Sequence, residues 1–322
     1  MKLSAMQIQA IVDATKTPTP EQVRVVEAPR RPLLVVAGAG SGKTETMSMR
    51  VLWLLANHPD LTPASILGLT FTRKAAGELG DRLRERIRLL SREMPQMRER
   101  LDEDPVALTY NSFAERIVSE QGMRIGIDPD FAMLSEAGAL DLMTQIVEAW
   151  PTDLDETLSP AGVVGKILHL AGEIAEHGYT VETAREALEE FGRELEQVGR
   201  GNDVARNVID ANRRRLAFLG PIEAYQQRKR DMGVLDFSDQ LVLATRIVRE
   251  APAVRAALRD EFRAVLLDEF QDTSVIQMEL LSTLFGDHAV TAVGDPNQAI
   301  YGWRGASASS LETFLERFQT GV

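Results

Sequence analysis

The sequence predicts an α/β fold, a parallel sheet flanked by helices and interrupted by a mainly helical insertion. Short β-branched or apolar runs stand at Leu33 to Val36, Ile66 to Thr70, Val106 to Thr109, Ala264 to Leu267 and Ala289 to Val293. Each is followed by a polar or glycine-rich turn and then by helical periodicity, the rhythm of parallel strands joined by helical crossovers. Between the third and fourth runs lies a stretch of about 150 residues that reads almost entirely as helix. The turn after the first run is rich in glycine and opens directly into helix-like sequence, Glu45 to Leu55.

Composition agrees with this reading. A chain of 322 residues holds two ordinary domains at about 150 residues each. With 44% hydrophobic and 26% charged residues it is globular, which excludes disordered and collagen-like classes. The absence of cysteine excludes disulfides, a thiolate nucleophile and thiolate metal clusters, and suits a reducing cytoplasm, the expected location. Four histidines leave little room for a structural zinc site. No apolar run reaches the ~20 residues of a membrane span. The start, Met1 to Ala14, is broken by Gln7, Gln9 and Asp13 before any signal-like core forms. No membrane partner is expected. A net charge of -12 argues against unspecific adhesion to nucleic acid, although binding depends on where the cations sit.

Two apolar stripes set the helical register. Leu79, Leu83, Ile87 and Leu90 form one, and Val164, Ile167, Leu168, Ala171, Ile174 and Ala175 form another that stops at Gly178. The expected boundaries are residues 1–115 and 226–322 for the α/β portion and 116–225 for the insertion. Arg200, Arg206, Arg213, Arg214, Arg215, Arg228, Lys229 and Arg230 crowd the end of the insertion, and Arg73, Lys74, Arg82, Arg84, Arg86 and Arg88 follow the second strand. Single arginines on such helices are ordinary solvated side chains; clustered along one side of a cleft they form a phosphate track.

The chemistry begins at Ala37-Gly38-Ala39-Gly40-Ser41-Gly42-Lys43-Thr44. Glycines let the backbone N–H groups of Ala39, Gly40, Ser41 and Gly42 turn inward around phosphate oxygens. Lys43 then neutralises β/γ charge and the Thr44 hydroxyl ligates Mg²⁺. Ala37 stands where the usual pattern has glycine, at little cost if its φ is negative. A magnesium nucleotide also needs a carboxylate at a neighbouring strand end, and Asp268 and Glu269 follow the apolar run Ala264 to Leu267. Alternation lets Asp268 face the metal while Glu269 serves as general base toward an attacking water. These residues define a P-loop nucleoside-triphosphatase site. Phe71, Tyr301 and Trp303 follow strand ends, where flat rings can stack on unpaired bases for ~1–3 kcal/mol each.

Longer motifs narrow the class. Asp268-Glu269-Phe270-Gln271-Asp272-Thr273 and Gly294-Asp295-Pro296-Asn297-Gln298-Ala299-Ile300-Tyr301-Gly302-Trp303-Arg304-Gly305-Ala306 resemble motifs II and III of UvrD/Rep-type superfamily 1A DNA helicases. Thr70 to Ala76 resembles motif Ia, Thr109 to Ala114 motif Ib, Pro20-Glu21-Gln22 the Q motif, and Asp236-Phe237-Ser238-Asp239 the short acidic motif before motif II. The resemblance implies a RecA-like domain that uses ATP and Mg²⁺ and binds single-stranded DNA, moving 3′ to 5′. It implies that Gln22 reads adenine and that Gln298 and Gln271 sense the γ-phosphate. It also implies that Phe71, Tyr301 and Trp303 stack on bases, and that Arg73, Asn111 and Ser112 hold phosphates. Arg304 tethers its segment to a carboxylate or a phosphate.

Within the family, Thr44-Glu45-Thr46-Met47, Thr72-Arg73-Lys74 and Leu168-His169-Leu170-Ala171-Gly172-Glu173 look most like the AdnB-type motor subunit of bacterial helicase-nucleases, with an AdnA-type partner. Glu45, Arg73 and Asn111 depart from the UvrD pattern, which has arginine, asparagine and histidine there. The expectation is a motor half without its second RecA-like domain. An arginine supplied across such a cleft is worth ~10³–10⁵ in rate, so this chain should bind ATP and DNA but hydrolyse slowly. The alternative is an ATP-gated single-strand-binding module or partner subunit. A P-loop kinase or transport ATPase explains Lys43 and Asp268 but not Gln298 to Ala306.

Overall fold

The computed structural model describes residues 2–38, 40–155, 157–198, 203–298 and 310–318. The chain divides into two compact units, Met1–Ile117 with Thr245–Val322, and Val118–Ala244.

In the first unit, α1 (Ala5–Val12) and α2 (Pro20–Val26) each open on a capping box, Ser4 with Gln7 and Thr19 with Gln22. β1 (Leu33–Val36) passes through the glycine turn into α3 (Lys43–Asn57). β2 (Ile66–Thr70) leads to α4 (Arg73–Glu93), N-capped by Thr72, and β3 (Val106–Thr109) leads to α5 (Tyr110–Gln121). The second unit holds β4 (Ala132–Met133), α6 (Glu136–Glu148), α7 (Pro160–Glu176), α8 (Val181–Val198), α9 (Asp203–Met232), β5 (Val234–Leu235) and most of α10 (Phe237–Glu250). The chain returns to the first unit with α11 (Pro252–Glu261), β6 (Ala264–Leu267), α12 (Val275–Phe285), β7 (Val290–Gly294) and α13 (Ser310–Arg317).

The five strands of the first unit form one parallel sheet in the order β1-β7-β6-β2-β3. Representative pairs are Leu33 with Thr291, Val265 with Val290, Ile66 with Ala264 and Thr70 with Thr109. The central strands β2, β6 and β7 are buried along their whole length, which is why they read as continuous apolar runs rather than alternating ones. β7 runs Val290–Gly294, one residue later at each end than the sequence predicts; it extends to Gly294 because that carbonyl still accepts the Ala37 N–H at 3.0 Å. Leu79, Leu83, Ile87 and Leu90 of α4 are all buried, in one core with Leu52, Leu55, Ile66, Leu266 and Val293. Each such side chain contributes about 1.5–3 kcal/mol.

The second unit is mainly helical, as expected. Val164, Ile167 and Ile174 are buried with Leu142, Met143, Ile146, Phe218, Leu219 and Ile222, while Leu168 and Ala171 pack at the margin. The stripe stops where predicted, with Gly178 at φ 73°. β4 and β5 pair in parallel, Ala132 with Val234 and Met133 with Leu235; strands of two residues are too short to leave a period in the sequence. The unit runs on to Ala244, whereas the sequence reading turns back at 226. Asp236 and Asp239 belong to this unit because both bond the ammonium of Lys229 at 2.6 Å.

Much of the basic sequence is paired locally. Arg206 with Asp203, Arg213 with Asp210, Arg214 with Asp155, Lys74 with Glu78, Arg84 with Asp81, and Arg86 with Glu45 form ion pairs. Arg200 lies outside the described residues.

Candidate functional site

Because all five strands are parallel, the turns that follow them gather at one edge of the sheet. The glycine turn after β1 is shaped by Gly40 at φ 74° and Gly42 at φ 80°. At Gly42 a Cβ would stand 3.0 Å from Gln22 Nε2, so left-handed backbone and close approach both require glycine there. Gln22 accepts the Thr19 N–H as part of its capping box and donates from Nε2 to the Ser41 carbonyl at 3.2 Å, so the Q-motif helix is tied to the glycine turn. Gly40 has open space where a Cβ would sit. Ala39 lies outside the described residues.

Lys43 opens α3. Its Nζ is buried without a hydrogen bond, and the Glu269 carboxylate stands 3.7 Å away. An ammonium has three donors, so a buried one with none satisfied fits an absent anion. Thr44 follows it half-buried. The Glu45 carboxylate that replaces the family arginine is held by Arg86 at 2.7 Å.

Asp268 and Glu269 stand at the end of β6. Burial, and then the neighbouring Glu269 charge, push the Asp268 carboxyl above the ordinary carboxylate range; the Glu269 N–H and the Lys43 and Arg82 charges offset this only in part. A carboxylate under this load favours a cation beside it. No group of three or more acids and histidines able to hold a metal occurs among the described residues. The Thr44 hydroxyl and Asp268 carboxylate are hard oxygens, and such a pair suits Mg²⁺, which keeps several waters and takes phosphate oxygens.

Glu269 has φ 50°, the one positive-φ residue other than glycine among the described residues. Such a conformation costs about 1–2 kcal/mol. It is held by bonds on both sides: the Glu269 N–H donates to Asp268 Oδ1 at 3.1 Å, and its carboxylate accepts from Gln271 Nε2 at 2.9 Å. Gln271 is buried and fully engaged, donating also to Asp272 and accepting the Asp295 N–H at 3.0 Å. A Cβ on Gly294 would come within 2.9 Å of Gln271 Oε1, so glycine there admits the amide. Asp295 leads into the turn Pro296–Gln298, whose Gln298 N–H donates to the Asp295 carbonyl. The motif II and motif III turns are thus joined through Gln271.

The turns after β2 and β3 carry the other expected residues. Phe71 is half-buried with its ring centroid 4.9 Å from that of Tyr110, and Arg73 is exposed at the first position of α4. Ser112 donates its N–H to the Thr109 hydroxyl, which in turn donates to Ser112 Oγ at 2.9 Å; Asn111 beside it is half-buried. Tyr110, buried, donates from its hydroxyl to the Asp268 carbonyl at 3.4 Å. Tyr301, Trp303 and Arg304 lie outside the described residues. Tyr110 and Asp295, which hold turns of the site together, stand inside the motif Ib and motif III segments, where the sequence gives them no role of their own.

A parallel sheet with a lysine-bearing glycine turn after β1 and paired acids after β6 defines a P-loop α/β domain. Residues 18–319 match the UvrD/REP helicase N-terminal domain. The chain belongs to that family. It is similar to DNA helicase II of Escherichia coli (strain K12), 29% identical over 299 residues, covering 92% of this chain and 36% of the relative. ATP-dependent DNA helicase PcrA of Leuconostoc citreum is 28% identical over 295 residues, covering 91% and 34%. A probable DNA helicase II homolog of Rickettsia felis is 27% identical over 312 residues, covering 95% and 41%. The chain therefore spans from 34% to 41% of the length of these curated relatives. Among the described residues no helix is long and apolar enough to cross a membrane.

Proposed function

We propose that this chain is the first motor portion of an ATP-dependent single-stranded DNA translocase or helicase. The observation that carries the reading is the buried Lys43 ammonium without a hydrogen bond, at a strand edge it shares with Asp268 and Glu269. In this reading the turn through Gly40, Ser41 and Gly42 takes the β and γ phosphates of ATP with Lys43, and Gln22 reads adenine. Thr44 and Asp268 hold Mg²⁺, which when bound neutralises charge on the phosphate oxygens. Glu269 removes a proton from the attacking water. Gln271 keeps that carboxylate aimed, and Gln298 registers the γ-phosphate.

Phe71 stacks on a base, while Arg73, Asn111 and Ser112 take backbone phosphates, together with Tyr301, Trp303 and Arg304. Movement 3′ to 5′, unwinding, a second RecA-like domain, an AdnA-type partner and a cytoplasmic setting belong to the same proposal. So does kinship with AdnB-type motor subunits, supported by the Thr44 to Met47, Thr72 to Lys74 and Leu168 to Glu173 segments. Slow turnover by residues 1–322 alone follows from it as well.

Phosphate release with and without single-stranded DNA, beside direct titration of both ligands, tests the reading. MgATP binds, turnover responds to DNA, and log affinity for DNA falls with log salt along a slope that Arg73→Ala makes shallower by about one unit. ATP and DNA binding without any turnover would favour the gated binding module. Failure to bind MgATP would overturn both.

A further inference from the structure

Arg50 lies on α3, seven residues after Lys43, and is 1% exposed. Burial alone pushes its guanidinium down to about 10, so it stays charged at neutral pH. Its partners are dipoles. Nη1 donates to the carbonyls of Val25 at 2.9 Å, Val26 at 3.2 Å and Ala28 at 2.9 Å; Nη2 donates to Pro29 at 3.0 Å, and Nε to the Thr291 hydroxyl at 2.8 Å. A buried charge is a costly way to fill space, and an apolar side chain would do that better. What the planar fork does, and a leucine cannot, is fix several carbonyls at once.

Those carbonyls belong to the last two residues of α2, Val25 and Val26, and to the segment that leaves it, Ala28 and Pro29. A helix leaves its last carbonyls without intrahelical partners, and in this helix of seven residues Arg50 takes those of Val25 and Val26. The opposite end of α2 carries Gln22, bonded to the Ser41 carbonyl. Seven residues of helix rise about 10 Å, so one rigid rod bears the phosphate-facing lysine at its start and grips the Q-motif helix two turns later.

We infer that Arg50 is a positioning residue for nucleobase recognition: through α2 it sets the distance between Gln22 and the phosphate turn, so that base and triphosphate are gauged by the same helix. The inference rests on the ATP site proposed above and adds to it the residue on which base discrimination depends.

Calorimetric titration of the 322-residue chain with MgATP, MgGTP and magnesium tripolyphosphate tests it. The unaltered chain prefers ATP to GTP, and Gln22→Ala removes that preference. Arg50→Lys, with fewer donors on a flexible stem, loses about tenfold in ATP affinity while tripolyphosphate stays within about twofold. Thr291→Val, which removes only the Nε partner, shifts the ratio in the same direction by less. Adding Arg50→Lys to Gln22→Ala changes the ATP/GTP ratio no further. The inference is overturned if Arg50→Lys and Thr291→Val keep the original ratio, or if tripolyphosphate weakens in step with ATP, since Arg50 would then hold only the fold. Should Arg50→Lys fail to fold by circular dichroism, Thr291→Val alone decides. An unaltered chain that binds no nucleotide sinks the functional reading and this inference together. One that binds ATP without preference sinks only the base-reading part.

Discussion

Lys43 and Lys229 are both withdrawn from water, with side chains 12% and 6% exposed, yet their surroundings are opposite. Lys229, in the helical unit, bonds Asp236 and Asp239 at 2.6 Å each and lies 4.7 Å from the Tyr225 ring centroid. Burial pushes both carboxyls up. At Asp236 the ammonium, with hydrogen bonds from the Asp239 N–H and the Tyr225 hydroxyl, outweighs burial and the net shift is down; at Asp239 burial and the Asp236 charge prevail and the net shift is up. Lys43, in the α/β unit, has no hydrogen bond and one carboxylate at 3.7 Å. Lys229 is satisfied within the fold, whereas Lys43 keeps its donors unmet there. Unmet hydrogen bonds, more than charge or burial, separate a structural cation from a binding one.

The contrast can be broken most forcefully at Lys229. Lys229→Met leaves two half-buried carboxylates facing each other, and urea unfolding should show a loss of about 3 kcal/mol, with nucleotide affinity of the folded protein unchanged. Lys43→Ala should do the reverse. Its ammonium makes no hydrogen bond to lose and its burial is itself a cost to the fold, so stability does not fall, while ATP affinity falls by about a hundredfold, the worth of a strong charge-assisted contact. A large stability loss in Lys43→Ala would erase the distinction.

The smallest effect sharpens it at Asp268. Its carboxyl titrates higher folded than unfolded, so its favourable contribution is present below the unfolded value and is lost as pH rises through the folded one. Asp268→Asn should therefore stabilise the nucleotide-free protein by about 1 kcal/mol near pH 7. That advantage shrinks as the buffer is made acidic, and magnesium-dependent ATP affinity is lost. Thermal melts across pH, with and without MgATP, measure both; an Asn variant less stable than the original at neutral pH would contradict the assignment.

The sheet was legible because its central strands are covered on both faces and so leave apolar runs that turn residues punctuate. The glycine turn was legible because left-handed backbone demands glycine and the lysine follows at a fixed place. The end of the insertion was not, since a basic run at Arg228 to Arg230 looks the same whether it faces water or, as at Lys229, two acids seven and ten residues on. Arg50 is not legible for a related reason. Inside the apolar stretch Met47 to Leu55 a lone arginine is the only clue, and the carbonyls that answer it lie more than twenty residues upstream. Glu45 registered as a departure from the family, but its partner Arg86 sits on another helix.

The left-handed backbone at Glu269 bears on how such a protein responds to selection. Replacement of that glutamate by glycine or asparagine removes a conformational penalty at the same moment that it removes the proposed base. Libraries screened for heat tolerance alone should accumulate changes at 269 and return robust, inert molecules. A screen that also demands turnover should leave this position untouched.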